Sequence, residues 1–539
     1  ASLQAGEVSS IQAAFEYSDG MGTVLVKKGQ AEPKIGETKL QWIASGKTIL
    51  NNKGKPVKQY EPYFSLTEHR FDESEAEAEI GVTPVMYYDA PGMLIRTEMP
   101  DGSFSRVDFS PWHVKTFDAN DTVLESLWYS DRNPLPHDQP LPEDPITHEI
   151  TATPDQRAAW LTAQHAATPA QVHLDSLGRE VIAIAHNRTN GVNDIYFTFT
   201  RLDAEGKPLW IRDARGNIVM RYTVPRTPAS DPLTDFYPTY DIAGNLLFQH
   251  SMDAGDRWML NDAAGKPLFA WDINDRHAGT GAPIPERRMY VTKYDQLHRP
   301  VETSLTINEG APQTIERFVY VDGPTGDSTK NLRGQLRQHY DQSGLTHMEA
   351  YDFKGQPPEV HRQLADDYKA PVLHWPESDL TAGLEAERFV KITEYDALGR
   401  MSRLYNWHHG TGSRVAVYEP RYSERGVLKS EELIVGATKT ATGYEEGTGS
   451  KRDKVIQDIT YDAKGQRQSI SCGNKTVTQY HYDPETYRLV QLRTTRAVIN
   501  PEFPKEKGFK DPNILQNLYY TYDPVGNITE IYDDAVEPA

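Results

Sequence analysis

A short phrase, Tyr-Asp-x-x-Gly, recurs through this chain of 539 residues and constrains its fold more than any other feature. Clear copies are "YDIAGNLLFQ" from Tyr240, "YDALGRMSRL" from Tyr395 and "YDPVGNITEI" from Tyr522. The flanks are rich in β-branched and aromatic residues, which favours strands on both sides. Aspartate can bond a backbone N–H two residues on, and glycine supplies the positive φ that other residues resist. Each copy therefore predicts one β-hairpin, with tyrosine at the end of the incoming strand.

The full phrase stands at seven places, and many other copies keep only Asp-x-x-Gly. Gaps between successive aspartates often fall near about 10, 20 or 30 residues, as strand–turn–strand units require. Two copies are damaged, since His298 replaces the glycine after Asp295 and the copy from Tyr482 carries an extra residue. We predict structural turns without catalytic roles at Tyr88, Asp89, Gly92, Tyr240, Asp241, Gly244, Tyr340, Asp341, Gly344, Tyr351, Asp352, Gly355, Tyr395, Asp396, Gly399, Tyr461, Asp462, Gly465, Tyr522, Asp523 and Gly526.

The repeat predicts an all-β fold, a long curling antiparallel sheet of hairpins with one or two short helices. Each repeat tyrosine is expected to stack on the next hairpin while its hydroxyl finds a partner at the ring's edge. Residues 1–130 and 171–539 are predicted to be continuous parts of this sheet. Residues 131–170 interrupt it with a Pro-rich excursion and a short helix.

Local signals predict where the strand pattern breaks. In "TPDQRAAWLTAQHA", Thr153 can cap a helix and Pro154 suits its first turn. A second helix is predicted over Leu380–Phe389, with Ser378 or Asp379 as its cap. The polar, Gly/Thr-rich stretch 436–454 is interpreted as a mobile loop between strands.

Composition excludes several function classes. The net charge of −20 disfavours binding of nucleic acid or anionic membranes across the whole surface. Apolar runs are too short to span a bilayer, and "ASLQAGEVSS" at the N-terminus does not have the pattern of a secretory signal. Cys472 is the single cysteine, so no disulfide can form within the chain.

No catalytic or metal motif stands out. His408 and His409 are adjacent, so on a strand they point to opposite faces and make a poor metal pair. Cys472 is interpreted as a small buried residue in preference to a nucleophile. A pair of carboxylates for glycoside hydrolysis remains open, although turns account for most of the aspartates. We therefore expect no cofactor and no enzymatic activity.

Beyond the bare repeat, longer phrases carry a family resemblance. The Tyr-Asp repeats resemble those of RHS/YD-repeat proteins. In order along the chain, "FEYSDGMGTVLVKKGQAEP", "NNKGKPVKQYEPYFS", "LIRTEMPDGSFSRVDFSPW" and "AAWLTAQHAATPAQVHLDSLGR" resemble stretches of the toxin-complex B component (TcB), from the half that begins the RHS shell. The resemblance covers essentially the whole chain.

This resemblance implies a hollow β-shell formed by the YD-repeat hairpins, of which the chain would be a part. Such a shell closes with an RHS-containing C component, or with its own remaining part, around a cytotoxic cargo polypeptide. A pore-forming A component then receives the cargo, through a propeller region that we do not find in this chain. The family's C-terminal aspartate self-cleavage motif is also not found, so Asp523 is not predicted to be catalytic. The resemblance implies a secreted, extracellular bacterial protein, with no nucleic-acid partner and no direct membrane insertion.

Two alternatives to a non-enzymatic shell segment remain open at this point. One is an adhesion or carbohydrate-binding module that uses exposed aromatic rings as stacking platforms. The other is a polysaccharide-degrading enzyme with a carboxylate pair. The acidic charge could line a lumen that holds a basic effector, or could simply face solvent. The tryptophans considered for stacking are Trp112, Trp128, Trp210, Trp258 and Trp271.

Overall fold

The computed structural model describes residues 11–34, 36–73, 75, 83–143, 150–189, 191–276, 284–323, 328–381, 383–497, 510–511 and 513–536. The N-terminal "ASLQAGEVSS" and residues 144–149 of the Pro-rich excursion lie outside the described residues. The chain divides into two compact units. The first unit contains Thr198–Glu419 and Leu433–Arg452, and the second contains Ser2–Phe197, Pro420–Glu432 and Asp453–Ala539.

Strands dominate both units. Their bounds are β1 Ala14–Ser18, β2 Val24–Ala31, β3 Gln41–Ser45, β4 Thr48–Leu50, β5 Pro56–Gln59, β6 Tyr63–Phe64, β7 Val85–Tyr88, β8 Leu94–Glu98, β9 Phe104–Phe109, β10 His113–Phe117, β11 Ala170–Leu174, β12 Glu180–Thr189, β13 Val192–Leu202, β14 Pro208–Arg212, β15 Ile218–Arg221, β16 Thr223–Pro225, β17 Phe236–Pro238, β18 Phe248–Ser251, β19 Gly255–Asn261, β20 Pro267–Arg276, β21 Ile284–Tyr294, β22 Pro300–Ile307, β23 Gln313–Tyr320, β24 Leu336–Asp341, β25 Gly344–Ala350, β26 Glu359–Leu364, β27 Phe389–Tyr395, β28 Met401–His408, β29 Arg414–Tyr422, β30 Leu428–Lys439, β31 Tyr444–Glu445, β32 Lys451–Tyr461, β33 Arg467–Cys472, β34 Thr476–Tyr482, β35 Leu489–Arg496, β36 Ile514–Tyr522 and β37 Ile528–Asp533.

Two short α-helices occur in the described residues, α1 at Leu127–Ser130 and α2 at Pro154–Ala163. Single 3-10 turns lie at Val123–Glu125 and Ser328–Lys330. Helix α2 is the one predicted from the sequence. Its Thr153 hydroxyl accepts a hydrogen bond from the Gln156 N–H, and the Gln156 side-chain oxygen accepts one from the Thr153 N–H. These two bonds form a complete capping box. No helix within the described part of the chain is long and apolar enough to cross a membrane.

Within the first unit, strands β19 to β28 pair in chain order, each antiparallel to the next. Within the second unit, β7 to β12 and β32 to β37 form two further antiparallel series. A separate four-stranded sheet has the order β1-β2-β3-β6. The predicted fold class, an all-β chain of antiparallel hairpins, is confirmed.

On some strands of the sheet, the side chains of both faces remain partly exposed to solvent. Along β35 every residue is half-buried, and β26 shows nearly the same pattern. Full burial is confined to small clusters, such as Tyr405, Val415, Val417, Ile434 and Ala437 in the first unit. Since the described residues of neither unit form a single large core, backbone pairing and polar contacts between neighbouring hairpins must carry much of the stability.

The predicted second helix, Leu380–Phe389, is wrong. Its described residues form turns, an isolated bridge from Leu384 to Ala365, and the start of β27 at Phe389. The Asp379 carboxylate caps only a local turn through Thr381, and Gly383 takes a positive φ that a helix does not allow. Leu380 and Leu384 pack against the cluster around Trp375, which is 1% exposed, so tertiary packing overrides the helical pattern.

The interpretation of residues 436–454 as a mobile loop between strands is wrong in its bounds: residues 440–450 do connect two strands, but both ends of the stretch are strand. Strand β30 runs on to Lys439, β31 follows, and β32 begins at Lys451. Ala437 is fully buried against Val417 and Ile434, which gives this polar stretch an apolar anchor. The Gly/Thr-rich composition hid the strand because its small residues pack closely here: a Cβ on Gly436 would lie 2.7 Å from the Arg414 guanidinium.

Glycine substitutions test how much the turns depend on backbone conformation. Gly465 has a φ of +94° and open space around its Cβ position, so Gly465→Ala should cost about 1–2 kcal/mol of conformational strain alone. Gly344→Ala adds a clash, because its Cβ would lie 2.2 Å from the Gln363 carbonyl oxygen, and should cost more. Denaturant unfolding midpoints should fall in that order, while Gly447→Ala, with neither constraint, serves as the control. Equal midpoints for all three variants would contradict this ranking.

Candidate functional surface

The turn at Asp462 shows how a repeat closes. The Asp462 N–H donates to the Gln466 carbonyl at 2.9 Å, and the Gly465 N–H donates to the Asp462 carbonyl at 3.2 Å. The Asp462 carboxylate accepts the Gln466 N–H at 2.8 Å. Together with the positive φ of Gly465, this is a type I turn followed by a glycine bulge, a common hairpin connection.

Six of the seven predicted turns share these two backbone bonds, namely those that begin at Asp89, Asp241, Asp352, Asp396, Asp462 and Asp523. The turn at Asp341 differs. Asp341 and Gly344 face each other directly as the last pair of β24 and β25, with a shorter loop between them. The Asp341 carboxylate binds the Arg362 guanidinium at 2.7 and 3.0 Å, in addition to accepting the Ser343 N–H of its own turn at 2.7 Å.

Five of the seven repeat tyrosines, and the tyrosines of both damaged copies, bond to the backbone of a neighbouring hairpin. Tyr461 Oη donates to the Leu428 carbonyl at 2.6 Å, and Tyr522 Oη donates to the Leu489 carbonyl at 2.7 Å. Equivalent bonds run from Tyr88 to Pro56, Tyr240 to Pro208, Tyr294 to Pro267, Tyr351 to Leu336 and Tyr482 to Arg467. Every acceptor stands two residues after a turn residue with positive φ, so each tyrosine ties one turn to another.

At several turns, the residue directly after the one with positive φ makes a second connection. Gln466 Nε2 donates to the Tyr487 carbonyl at 2.9 Å, and Gln356 Nε2 donates to the Gly399 carbonyl at 3.0 Å. Arg488 reaches the carbonyls of Asp523 and Pro524, both at 2.6 Å. Turns are thus joined through side chains as well as through the sheet. The sequence alone did not reveal these contacts, because the acceptors are backbone atoms of another repeat.

The turn carboxylates are poorly suited to proton transfer at neutral pH. Hydrogen bonds from the Asn245 side chain and backbone lower the pKa of Asp241. The Asp175 carboxylate, bonded by the Arg179 side chain and backbone, has its pKa lowered to about 2. Both groups stay ionised and occupied by local donors. A structural role for all the turn residues remains our prediction.

Other carboxylates bear on the alternative of a hydrolytic pair. Burial favours a higher pKa for Glu419, but bonds and charge from Arg403 outweigh it and lower the pKa. Arg403 also binds Glu394 at 2.9 Å, so it holds both carboxylates. Burial raises the pKa of Asp121 and of Asp458, which line separate depressions of about 360 and 520 Å³.

The remaining candidate residues are placed as follows. His408 is buried at the end of β28, and His409, just beyond the strand, is exposed. No group of three or more potential ligands that could hold a metal occurs among the described residues. Cys472 ends β33 and is only partly buried, which corrects the expectation of a buried residue, because no residue of β33 is fully buried.

The five tryptophans considered for stacking fall into different environments. Trp128 is 2% exposed in the cluster beneath α2, and Trp210 is 7% exposed, which excludes both as open platforms. Trp112 is 59% exposed in the second unit. Trp258 and Trp271 are direct cross-strand neighbours on β19 and β20. They line a depression of about 440 Å³ together with Ile273, Arg287, Met289 and others.

Removing one repeat hydroxyl should destabilise the protein measurably. Tyr461→Phe deletes the bond to the Leu428 carbonyl and should cost about 0.5–1.5 kcal/mol in the free energy of unfolding. Tyr368→Phe is the matched control, since the Tyr368 side chain is 79% exposed. Denaturant unfolding of the two variants should separate them; indistinguishable midpoints would show that the hydroxyl bond contributes nothing.

Alkaline pH offers a second test of the buried tyrosines. Burial, with smaller effects of Tyr222 and Asp203, raises the pKa of Tyr240 to about 12. An unfolded tyrosine titrates near about 10, so between these values the unfolded chain releases a proton that the folded chain retains. The free energy of unfolding should therefore fall as pH rises from about 10 to 12, and less steeply in Tyr240→Phe. Parallel stability curves for the two proteins would refute the assignment, and Tyr368→Phe should follow the wild type.

Comparisons with known proteins agree with this architecture. No family model matches the chain. Toxin subunit YenC2 of Yersinia entomophaga is 27% identical over 382 residues, which are 69% of this chain and 35% of that protein. Toxin subunit YenC1 of the same organism is 27% identical over 300 residues, or 54% of this chain and 27% of the relative. The chain thus spans about a third of the length of these curated relatives.

Solved structures match over a larger part of this chain. A Photorhabdus luminescens Tc holotoxin pore aligns with a TM-score of 0.73 and 24% identity, over 97% of this chain and 22% of that one. The crystal structure of TcdB2-TccC3 aligns with a TM-score of 0.71, again at 24% identity. At this identity the likeness establishes the fold. Similar in sequence to Yersinia toxin subunits and in fold to toxin-complex B–C structures, the chain has the resemblance to RHS-type toxin-complex subunits that its repeats predicted.

Proposed function

We propose that the chain is a non-enzymatic wall segment of a bacterial toxin complex, which encloses a cytotoxic polypeptide for delivery. The observation that carries the proposal is the repeated joining of turn to turn, by tyrosine hydroxyls and, at several turns, by the side chain that follows the residue with positive φ. A hairpin whose turn bonds to the turn of another hairpin can be added beside it repeatedly. Hairpins of this kind build an extended wall more readily than a compact catalytic domain.

The mechanism of such a wall is steric. Strand pairing and turn-to-turn bonds leave few flexible backbone segments for a protease to engage. The two partly exposed faces of the sheet allow one face to meet solvent while the other meets an enclosed chain. The repeat aspartates, already bonded by their own turns, contribute to the wall and not to a reaction.

Its partners follow from the same reasoning. The matched structures combine TcdB2 with TccC3, or are holotoxin pores. By analogy, this chain assembles with an RHS-containing C component, or with the remaining part of its own shell, and with toxin cargo. A pore-forming A component engages through a propeller segment distinct from these residues, and the assembly acts outside the bacterium, with no nucleic-acid partner and no insertion of this chain into a membrane. Residues 1–130 and 171–539 contribute wall, and 131–170 contribute the excursion.

Protection of a cargo tests the proposal. The protein is purified together with the subunit encoded beside it, and a polypeptide retained in the assembly is followed during limited proteolysis. The enclosed polypeptide should be cleaved at least tenfold more slowly than the same polypeptide after the assembly has been denatured and the polypeptide isolated. Equal cleavage rates would overturn encapsulation. A glycan array run on the same sample tests the adhesion alternative, which strong and specific glycan binding would favour.

A further inference from the structure

One face of the sheet in the first unit combines aromatic rings with arginines. A row of residues in register runs across β13, β14, β15, β18, β19, β20 and β21, and consists of Arg201, Trp210, Arg221, His250, Asp256, Ile273 and Arg287. The adjacent row on the same face consists of Phe248, Trp258, Trp271 and Met289. We call these two rows, with Phe199, Arg212, Leu260 and Phe269 beside them, the arginine–aromatic face.

The rings on this face contact one another. The centroids of Phe199 and Trp210 are 5.7 Å apart, and those of Phe248 and Trp258 are 4.4 Å apart. The rings of Phe269 and Trp271 are nearly parallel at 5.5 Å. Arginines cover two of the rings, with Arg212 5.1 Å from the Trp210 centroid and Arg221 5.4 Å from that of Phe248. Because side chains hold each other in place, the face is organised before any partner arrives.

Large apolar groups on this face remain open to solvent. Phe199 is 40% exposed, Trp258 is 37% exposed and Leu260 is 43% exposed. Ile273 and Met289 also line the depression of about 440 Å³ beside Trp258 and Trp271. Open apolar side chains on the same face as a depression are typical of a binding site.

The charge on the face is opposite to that of the chain as a whole. Arg201, Arg212 and Arg287 are exposed, and none has a carboxylate within ion-pair distance in the part of the chain that the structure describes. On the face, Asp256 already pairs with His250 at 2.6 Å. Glu302, on the neighbouring strand β22, pairs with Lys293 and Arg317. Asp272, which also lines the depression, likewise has a partner within the chain. Within a chain of net charge −20, these arginines form a local site for anionic groups.

We propose that the arginine–aromatic face binds an extended segment of the enclosed polypeptide in which acidic residues alternate with large apolar ones; this rests on the proposed function. The strands beneath it are hydrogen-bonded to neighbours on both sides, so recognition uses side chains and not strand addition. Arginine forks bind the carboxylates, and the rings and aliphatic groups receive the apolar side chains. Met289, Ile273 and Leu260 suit such side chains better than the flat face of a sugar.

Three fluorescein-labelled ten-residue peptides of matched length test this chemistry by fluorescence anisotropy with the full 539-residue chain. One alternates Glu with Phe and Leu, the second replaces Glu by Lys, and the third replaces Phe and Leu by Ser. The first should bind at least tenfold more tightly than the other two, and 0.5 M NaCl should weaken it. Similar affinities for all three peptides would overturn the proposal. So would equal competition from maltoheptaose or from a DNA oligonucleotide, which would assign the face to glycans or nucleic acid.

Matched variants test whether the first peptide binds to the arginine–aromatic face. Trp258→Ser and Arg287→Ser should each weaken the first peptide about tenfold. Trp112→Ser and Arg215→Ser alter an exposed tryptophan and an exposed turn arginine elsewhere, and should leave binding unchanged. Circular dichroism and unfolding midpoints of all four variants establish that they fold. Wild-type affinity in folded Trp258→Ser and Arg287→Ser would overturn the proposal.

The proposed function fails on a different measurement. Encapsulation is refuted when cargo in the wild-type assembly is cleaved as fast as free cargo, whatever the peptides do. To connect the two, a photo-crosslinking residue at position 258 of the assembled protein should capture the retained polypeptide, and one at position 112 should not. Equal capture at both positions would overturn the assignment of this face to the enclosed chain.

Discussion

The hydroxyl-to-carbonyl bond between hairpins is the interaction on which the rest of this structure depends. A turn that ends in a left-handed residue presents a backbone carbonyl two residues later, and a tyrosine from another repeat reaches it. The aspartate forms the hydrogen bonds of the turn, the glycine adopts the positive φ that the turn requires, and the tyrosine bonds the hairpin to another turn. Each residue of the recurring phrase therefore has a separate physical task, and the three tasks together make hairpins that stack.

This arrangement compensates for the small amount of deep burial. The fully buried clusters are few in number and small, and strands such as β35 are half-buried along their whole length. A sheet of this kind relies on many local bonds, each worth about 1 kcal/mol, instead of one large core. The same lack of covering layers leaves aromatic and charged side chains accessible on its faces, where a wall can meet what it encloses.

Sequence reasoning succeeded where the signal was local. The sequence predicts Thr153 as the cap of α2, with Pro154 in its first turn, and the structure forms this cap, to which Gln156 adds the second bond of a capping box. It failed where packing between distant residues decides. Leu380–Phe389 has a helical pattern, yet Leu380 and Leu384 pack against the buried cluster that contains Trp375. Residues 436–454 have the composition of a loop, yet Ala437 is buried against Val417 and Ile434.

The sequence by itself determined that the chain is all-β, that its strands join as antiparallel hairpins, and where most of those turns lie, because an Asp-x-x-Gly turn acts over four residues. Only the tertiary structure decided which carbonyl each tyrosine binds, which of five tryptophans are open, and that arginines and rings share one face. Those facts depend on the register between strands far apart in sequence. Register fixes which side chains become neighbours, and no short stretch of sequence contains that information.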